Sequence, residues 1–100
     1  MPDSAARAEL IRLDKWLWHA RFARSRSVAA AMVAAGEVRL NGAPVAKPAR
    51  NVGPGDVLTF ARPGGICVLR ILDCGSRRGP APEARTLYEE IVPAVSAKNT

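Results

Sequence analysis

Apolar residues in the first third of the chain recur at the spacing of an α-helix. Four of them lie at i, i+3, i+4 and i+7: Leu13, Trp16, Leu17 and Ala20. Positions so spaced share one side of a helix, so the pattern predicts a helix over residues 12–22 with this stripe in the core.

A second helix is predicted between Ser25 and Gly36, since serine is a good N-cap and glycine commonly follows a helix end. Its expected apolar stripe has the same spacing: Val28, Ala29, Met32 and Val33. Only residues 23–24 separate the two helices, which predicts a tight corner between them.

After Gly36 the apolar period changes to two, which is typical of strands. Val38 and Leu40 are expected to point inwards and Arg39 outwards, and Asn41-Gly42 is a strong signal for a hairpin turn. Pro44 then favours an edge position for the returning strand.

Further turns at residues 53–56 and 63–65 predict strands over residues 57–60 and 66–72, and residues 83–91 predict a short final helix. Two helices followed by a small antiparallel sheet and a short C-terminal helix constitute an α+β fold.

Composition restricts the class of protein. One hundred residues fit a single domain, and the apolar run of residues 28–35 is far shorter than the ~20 residues of a membrane span. Two cysteines, Cys67 and Cys74, cannot build a disulfide framework or a four-ligand zinc site. We therefore expect a cytoplasmic protein with no membrane partner, cofactor or metal. The formal net charge of +6 favours a polyanionic partner.

The positive charge is concentrated in residues 12–50, which hold eight basic and two acidic residues. Within them, Arg21, Arg24 and Arg26 surround Ser25 at the predicted start of the second helix. Free N–H groups at a helix N-terminus attract phosphate, and guanidinium groups add paired donors. The segment therefore predicts an anion site, although solvated arginines beside a simple serine cap would give the same pattern.

Three basic residues lie on or after the hairpin: Arg39, Lys47 and Arg50. They extend a phosphate-binding track if the hairpin packs beside the second helix, and otherwise only increase solubility. Trp18 lies off the apolar stripe; packing under the C-terminal segment is favoured over stacking on a base.

Nothing in the sequence predicts catalysis. His19 is the only histidine, the acidic residues are scattered, and there is no glycine-rich phosphate loop. We interpret the chain as a non-enzyme.

Four segments together resemble the S4-type RNA-binding domain first described in ribosomal protein S4: Arg12-Leu13-Asp14-Lys15-Trp16-Leu17, Ser25-Arg26-Ser27-Val28-Ala29, Gly36 to Gly42, and Pro48 with Gly55-Asp56. A wider likeness, including Trp16-Leu17-Trp18 and residues 77–90, is to the bacterial fifteen-kilodalton heat-shock protein family. The expected domains are a flexible leader over residues 1–10, the RNA-binding domain over 11–73 and an extension over 74–100.

The resemblance implies two helices packed on a small bent sheet, the αL motif, whose basic face binds structured RNA. It implies binding to the free large ribosomal subunit carrying a stalled nascent chain on tRNA, which aids recycling under heat stress. We expect the protein to be a monomer. Binding of DNA is left open. The implied RNA-binding residues, with those added from the charge pattern, are Arg12, Lys15, Arg21, Arg24, Ser25, Arg26, Arg39, Asn41, Lys47 and Arg50. Asp14 is expected to orient a nearby arginine.

Two other functions fit the same residues. The chain could serve as the RNA-targeting module of an RNA-modifying enzyme such as a pseudouridine synthase, with catalysis elsewhere. It could also be a protein–protein adaptor that uses the alanine-rich side of the second helix.

Overall fold

The computed structural model describes residues 9–91 and confirms the α+β fold. Helix α1 spans Leu13–His19 and helix α2 spans Arg26–Ala34; a short helix α3, Ala81–Ala84, continues into the 3₁₀ turn Arg85–Leu87. The leader and the last nine residues, 92–100, lie almost entirely outside the described part.

Seven strands within residues 9–91 form two antiparallel sheets. The small sheet pairs β1 with β4, and the larger has the order β3-β2-β5-β6-β7. Their bounds are β1 Ile11–Arg12, β2 Val38–Leu40, β3 Ala43–Val45, β4 Asn51–Val52, β5 Val57–Arg62, β6 Gly65–Ile71 and β7 Tyr88–Glu90. The hairpin at Asn41-Gly42 is confirmed: both residues have positive φ, 52° and 86°, and Pro44 lies on the edge strand β3.

The core lies between the two long helices and the inner face of the larger sheet. All four residues of the predicted α1 stripe are buried, and Trp16 is fully buried with its indole N–H donating to the Asp73 carbonyl at 2.9 Å. The α2 stripe is confirmed only in part, because Ala29 and Val33 are buried while Met32 is half-buried and Val28 is 38% exposed.

The predicted end of the first helix was three residues too late. The helix stops at His19, and Arg21 takes a left-handed conformation with φ of 67°, which turns the chain towards α2. The N–H of Phe22 donates to the Leu17 carbonyl at 2.9 Å, closing this helix end. The start and end of α2 are confirmed, with Ser25 as N-cap and Gly36 at φ of 79°.

The prediction of a helix through residue 91 was also wrong. Helical structure covers only residues 81–87, and Tyr88–Glu90 then pairs antiparallel with β6 as an edge strand. Leu87 is buried and Ile91 is half-buried in continuation of that strand rather than on one face of a helix. Residues 74–91 therefore complete the same core and sheet as the residues before them.

No helix within residues 9–91 has both the length and the apolar character to span a membrane.

Candidate nucleic-acid interface

Two arginines from different helix ends share one buried carboxylate. Asp14, in the first turn of α1, is 3% exposed and accepts hydrogen bonds from Arg12 Nε at 3.0 Å and Arg12 Nη2 at 2.8 Å. Arg26, the first residue of α2, brings its Nη2 to 3.9 Å from Asp14 Oδ1, the oxygen that also accepts from Arg12 Nε. The expected pairing of Asp14 with an arginine is therefore present. Both arginine side chains remain nearly half-exposed.

The charge state of Asp14 follows from these contacts. Burial alone would raise its pKa, but the hydrogen bonds and charge of Arg12, the N–H of Lys15 and the charge of Arg26 together hold the pKa below its ordinary value. Asp14 is thus ionised at neutral pH and raises the pKa of Arg12 in turn. One negative charge faces two positive charges, so the group keeps an excess of +1.

Strand pairing builds this surface from distant parts of the chain. Arg12 lies in β1 opposite Asn51 in β4, next to Arg50 in the sequence. The N–H groups of Leu13 and Asp14 donate to the carbonyls of Arg50 at 2.8 Å and Pro48 at 3.1 Å. The first turn of α1 therefore packs on the turn formed by residues 47–50.

Lys47 and Arg50, both exposed, begin and end the turn that packs on α1. The sequence made their part in a phosphate-binding track conditional on packing beside α2, and the backbone contacts of this turn are with the start of α1. We call Arg12, Asp14, Arg26, Lys47 and Arg50 the Asp14 cluster.

The N-terminus of α2 is the second element of the interface. The Ser25 hydroxyl accepts from the Val28 N–H at 3.1 Å, and the Ala29 N–H donates to the Ser25 carbonyl. The N–H groups of Arg26 and Ser27 make no hydrogen bond within residues 9–91, which leaves two donors at the positive end of the helix dipole. Arg24, just before the cap, is exposed and makes no ion pair with any described residue.

The remaining predicted site residues lie apart from this surface or have internal partners. Lys15 is half-buried one position after Asp14. Arg21 lies beyond the other end of α1, where its Nε donates to the Gly79 carbonyl at 2.6 Å. Arg39 is exposed on β2 with its Nη1 3.5 Å from the Gly42 carbonyl.

Asn41 has a structural role at the hairpin. Its amide nitrogen donates to Asp56 at 3.1 Å and its amide oxygen accepts from the Val57 N–H at 2.8 Å. Asp56 also accepts from the Gly53 N–H at 2.9 Å. Both polar atoms of the Asn41 amide therefore have partners inside the fold, and a role of the exposed Asn41 in RNA binding stays a prediction.

Trp18 contacts the C-terminal segment, as favoured from the sequence, and its partner there is Arg78. The Arg78 guanidinium lies 6.0 Å from the Trp18 ring centre, and its Nε donates to the Trp18 carbonyl at 3.2 Å. Sequence reasoning missed this arginine, because only the fold brings residue 78 to residue 18.

Residues capable of nucleophilic or metal chemistry are buried and dispersed. His19 Nδ1 lies 3.2 Å from the Cys74 carbonyl oxygen, and both thiols are buried and unpaired. Burial, and then the charges of Glu9, Asp73 and Asp56, raise the pKa of Cys74 to about 11. Over the described range there is no group of three or more histidine, cysteine or acidic side chains that could hold a metal ion.

Comparison with known proteins agrees with this geometry. A family model of the S4 domain matches residues 11–58. The heat shock protein 15 homolog of Aeromonas salmonicida is 38% identical over 90 residues, which make up 90% of this chain and 67% of the relative. The chain belongs to the heat shock protein 15 family. Heat shock protein 15 of Escherichia coli K12 is 36% identical over 88 residues, 88% of this chain and 65% of the relative.

A solved structure gives the same assignment. Heat shock protein 15 of Vibrio cholerae, described as trimeric at 2.3 Å resolution, matches with a TM-score of 0.81 at 38% identity, covering 91% of each chain. The chain spans about two thirds of the length of its curated heat shock protein 15 relatives. It is an RNA-binding heat-shock protein with an S4 domain. The trimer is a property of the Vibrio protein, and the monomer expected from the sequence stays a prediction.

Proposed function

We propose that the Asp14 cluster and the N-terminus of α2 bind the phosphate backbone of structured ribosomal RNA. The single observation that carries this proposal is the pairing of two half-exposed arginines with one buried aspartate. Asp14 orients the Arg12 guanidinium group through two hydrogen bonds and attracts that of Arg26, but its single charge neutralises only one of the two. The remaining charge and the two free N–H groups of α2 face the same ligand.

Recognition is expected to depend on shape. The major groove of duplex RNA is too deep and narrow for side chains to read, so contacts fall on phosphates and 2′-hydroxyls. Five cationic side chains supply the contacts with Lys15 as an auxiliary: Arg12, Arg24, Arg26, Lys47 and Arg50. With ~5 phosphates neutralised, the logarithm of affinity falls with the logarithm of salt concentration at a slope of roughly −3.5 to −4.5.

The cellular target that we propose is the free large ribosomal subunit carrying a stalled nascent chain on tRNA, bound in the cytoplasm during heat stress. Binding there would help recycle blocked subunits without any reaction catalysed by this chain. Its support is the family membership, together with a basic surface suited to folded RNA. Contact with the tRNA itself, or with DNA, is part of the same proposal because the cluster recognises phosphate.

Co-sedimentation with separated ribosomal subunits tests this target. The protein is mixed with small subunits, vacant large subunits and large subunits blocked by peptidyl-tRNA, each at two salt concentrations. We expect preferential pelleting with blocked large subunits, weakened by salt and by Arg26→Gln but not by Arg70→Gln. Equal binding to both subunits would contradict the specific target while leaving RNA binding intact.

Nuclease treatment separates this function from an adaptor role. Partners retained through RNA are released when the RNA is digested, whereas partners of a protein–protein adaptor remain bound. Persistence of the ribosomal proteins after complete digestion would overturn the proposal.

Sedimentation equilibrium of the free protein decides between the expected monomer and a trimer.

A further inference from the structure

A separate cleft of about 160 Å³ lies at the other end of α1. Three arginines from three parts of the chain line it: Arg21 after α1, Arg62 at the end of β5 and Arg85 in the 3₁₀ turn. The rings of Phe22 and Tyr88 complete its wall. Neither the S4 family model, which ends at residue 58, nor the sequence pattern marks Arg62 or Arg85.

The cleft carries more positive than negative charge. Arg62 lies 3.8 Å from Glu90 and its guanidinium carbon is 5.1 Å from the centre of the Phe22 ring. Arg85 is exposed and makes no ion pair with any residue in the described range. Arg21 is held by its backbone partner Gly79, which does not neutralise it. Three guanidinium groups therefore face one glutamate.

The charges of Arg62 and Arg85 both act on the side chain of Tyr88. Burial, and then the charge of Glu90, raise the pKa of the Tyr88 phenol, while Arg62 and Arg85 both act to lower it. Both guanidinium groups thus lie within electrostatic range of the same phenol oxygen, which is itself a hydrogen-bond donor.

We propose that this cleft binds a phosphate group of the RNA strand that the Asp14 cluster holds, an inference that rests on the proposed function. Guanidinium donors from three directions suit the tetrahedral oxygens of phosphate, and each can donate two hydrogen bonds. Helix α1 has seven residues, so roughly 10 Å of helix separates the two sites. Residues 21–26 run from the cleft to the cluster and place the exposed Arg24 between them.

The larger sheet provides a matched control for the cleft. Arg62 and Arg70 have side chains 48% and 46% exposed, and each pairs with a glutamate of β7. Their register places them on opposite faces: Arg70 lies opposite Glu89, whereas Arg62 lies on the inner face with Phe60 and Tyr88. Replacing either arginine by glutamine removes the same charge and the same kind of ion pair.

The test measures binding of fluorescein-labelled large-subunit ribosomal RNA to the full chain across a salt series. We expect Arg62→Gln and Arg85→Gln each to weaken binding by about tenfold and to reduce the salt slope by about 0.7–0.9, as for the loss of one phosphate contact. Arg70→Gln should match the unmodified protein. Circular dichroism melts identify any variant that fails to fold. Arg85 makes no ion pair with any residue in the described range, so Arg85→Gln still tests the cleft if Arg62→Gln does not fold.

The outcomes separate the cleft from the main interface. If Arg85→Gln behaves like Arg70→Gln while Arg26→Gln loses affinity, the cleft proposal is overturned and the main interface stands. If the unmodified protein does not bind the RNA, the proposed function itself fails.

Titration with inorganic phosphate and with a polyglutamate peptide, followed by the arginine side-chain N–H signals, identifies the ligand class. Shifts of Arg85 with phosphate support the proposal, and preference for the peptide contradicts it.

Discussion

The arginines around Asp14 and the arginines on the outside of the C-terminal half differ in how their charge is balanced. Arg12 and Arg26 share a single buried carboxylate. Arg70 and Arg77 each have a glutamate of their own, Glu89 at 3.2 Å and Glu83 at 2.6 Å. The proposed binding face is therefore distinguished from the other arginine-rich surface by having fewer carboxylates beside its arginines, not by its arginine content.

The two regions also differ in what holds them in place. In the Asp14 cluster, Arg12 is held by two hydrogen bonds to a buried acid and Arg26 by its charge, whereas the C-terminal segment is held by Leu87 in the core and by the pairing of β7 with β6. Exposed ion pairs contribute little to stability, so Glu83 and Glu89 chiefly neutralise their arginines. Four variants test this difference.

The largest effect is expected from Leu87→Ala. Removing a buried leucine side chain costs about 2–5 kcal/mol through lost burial and the cavity left behind. Urea denaturation should show this loss in the free energy of unfolding. A loss below about 1 kcal/mol would mean that apolar packing does not hold the segment, and the comparison would fail.

The double substitution Arg24→Gln/Arg26→Gln should act on binding and not on folding. Loss of two phosphate contacts is expected to weaken RNA affinity about 100-fold and to make the salt slope shallower by about 1.4–1.8. Fluorescence anisotropy over a salt series measures both. Arg70→Gln/Arg77→Gln removes the same charge from neutralised pairs; an equal loss in that control would show that net charge alone controls binding.

Asp14→Asn should lower stability in a pH-dependent manner. The lowered pKa of Asp14 means that its ionised form stabilises the fold above the ordinary carboxyl pKa of about 4, and that this contribution is lost as pH falls through the folded-state pKa. We expect a deficit of about 1–3 kcal/mol at pH 7 that shrinks below pH 4. A deficit independent of pH would assign the effect to packing.

The smallest effect is expected from Arg70→Gln, which breaks one exposed pair. Its cost should be about 0–1 kcal/mol, within the usual range for such pairs. Thermal melts of Arg70→Gln and of Leu87→Ala compare the two losses of stability directly. A cost comparable to that of Leu87→Ala would show that β7 is held by charge.

Local sequence signals predicted those parts of the fold that depend on neighbouring residues. The Ser25 cap, Gly36 and the Asn41-Gly42 turn are decided within a few residues, and all three are confirmed. The final helix was wrongly extended because the apolar residues Leu87 and Ile91, four apart, fit a helix as well as a strand. Pairing with β6, twenty positions earlier, decides in favour of the strand.

The sequence predicted many of the candidate-site residues, but it did not predict how the fold arranges them. Clustered arginines around Ser25 indicated the start of α2, but no local pattern shows that residues 47–50 pack on the first turn of α1. The internal use of the Asn41 amide and the convergence of Arg62 with Arg85 likewise depend on contacts between distant segments.

The two hydrogen bonds from the first turn of α1 to the carbonyls of Pro48 and Arg50 have a consequence for synthesis. A growing chain that has emerged only as far as residue 47 contains Arg12, Asp14 and Arg26 but lacks the two carbonyls on which the first turn of α1 packs. The proposed nucleic-acid surface is therefore expected to be complete only after residue 50 has left the ribosome that makes it, and a peptide copy of the two helices should lack the part that residues 47–50 contribute.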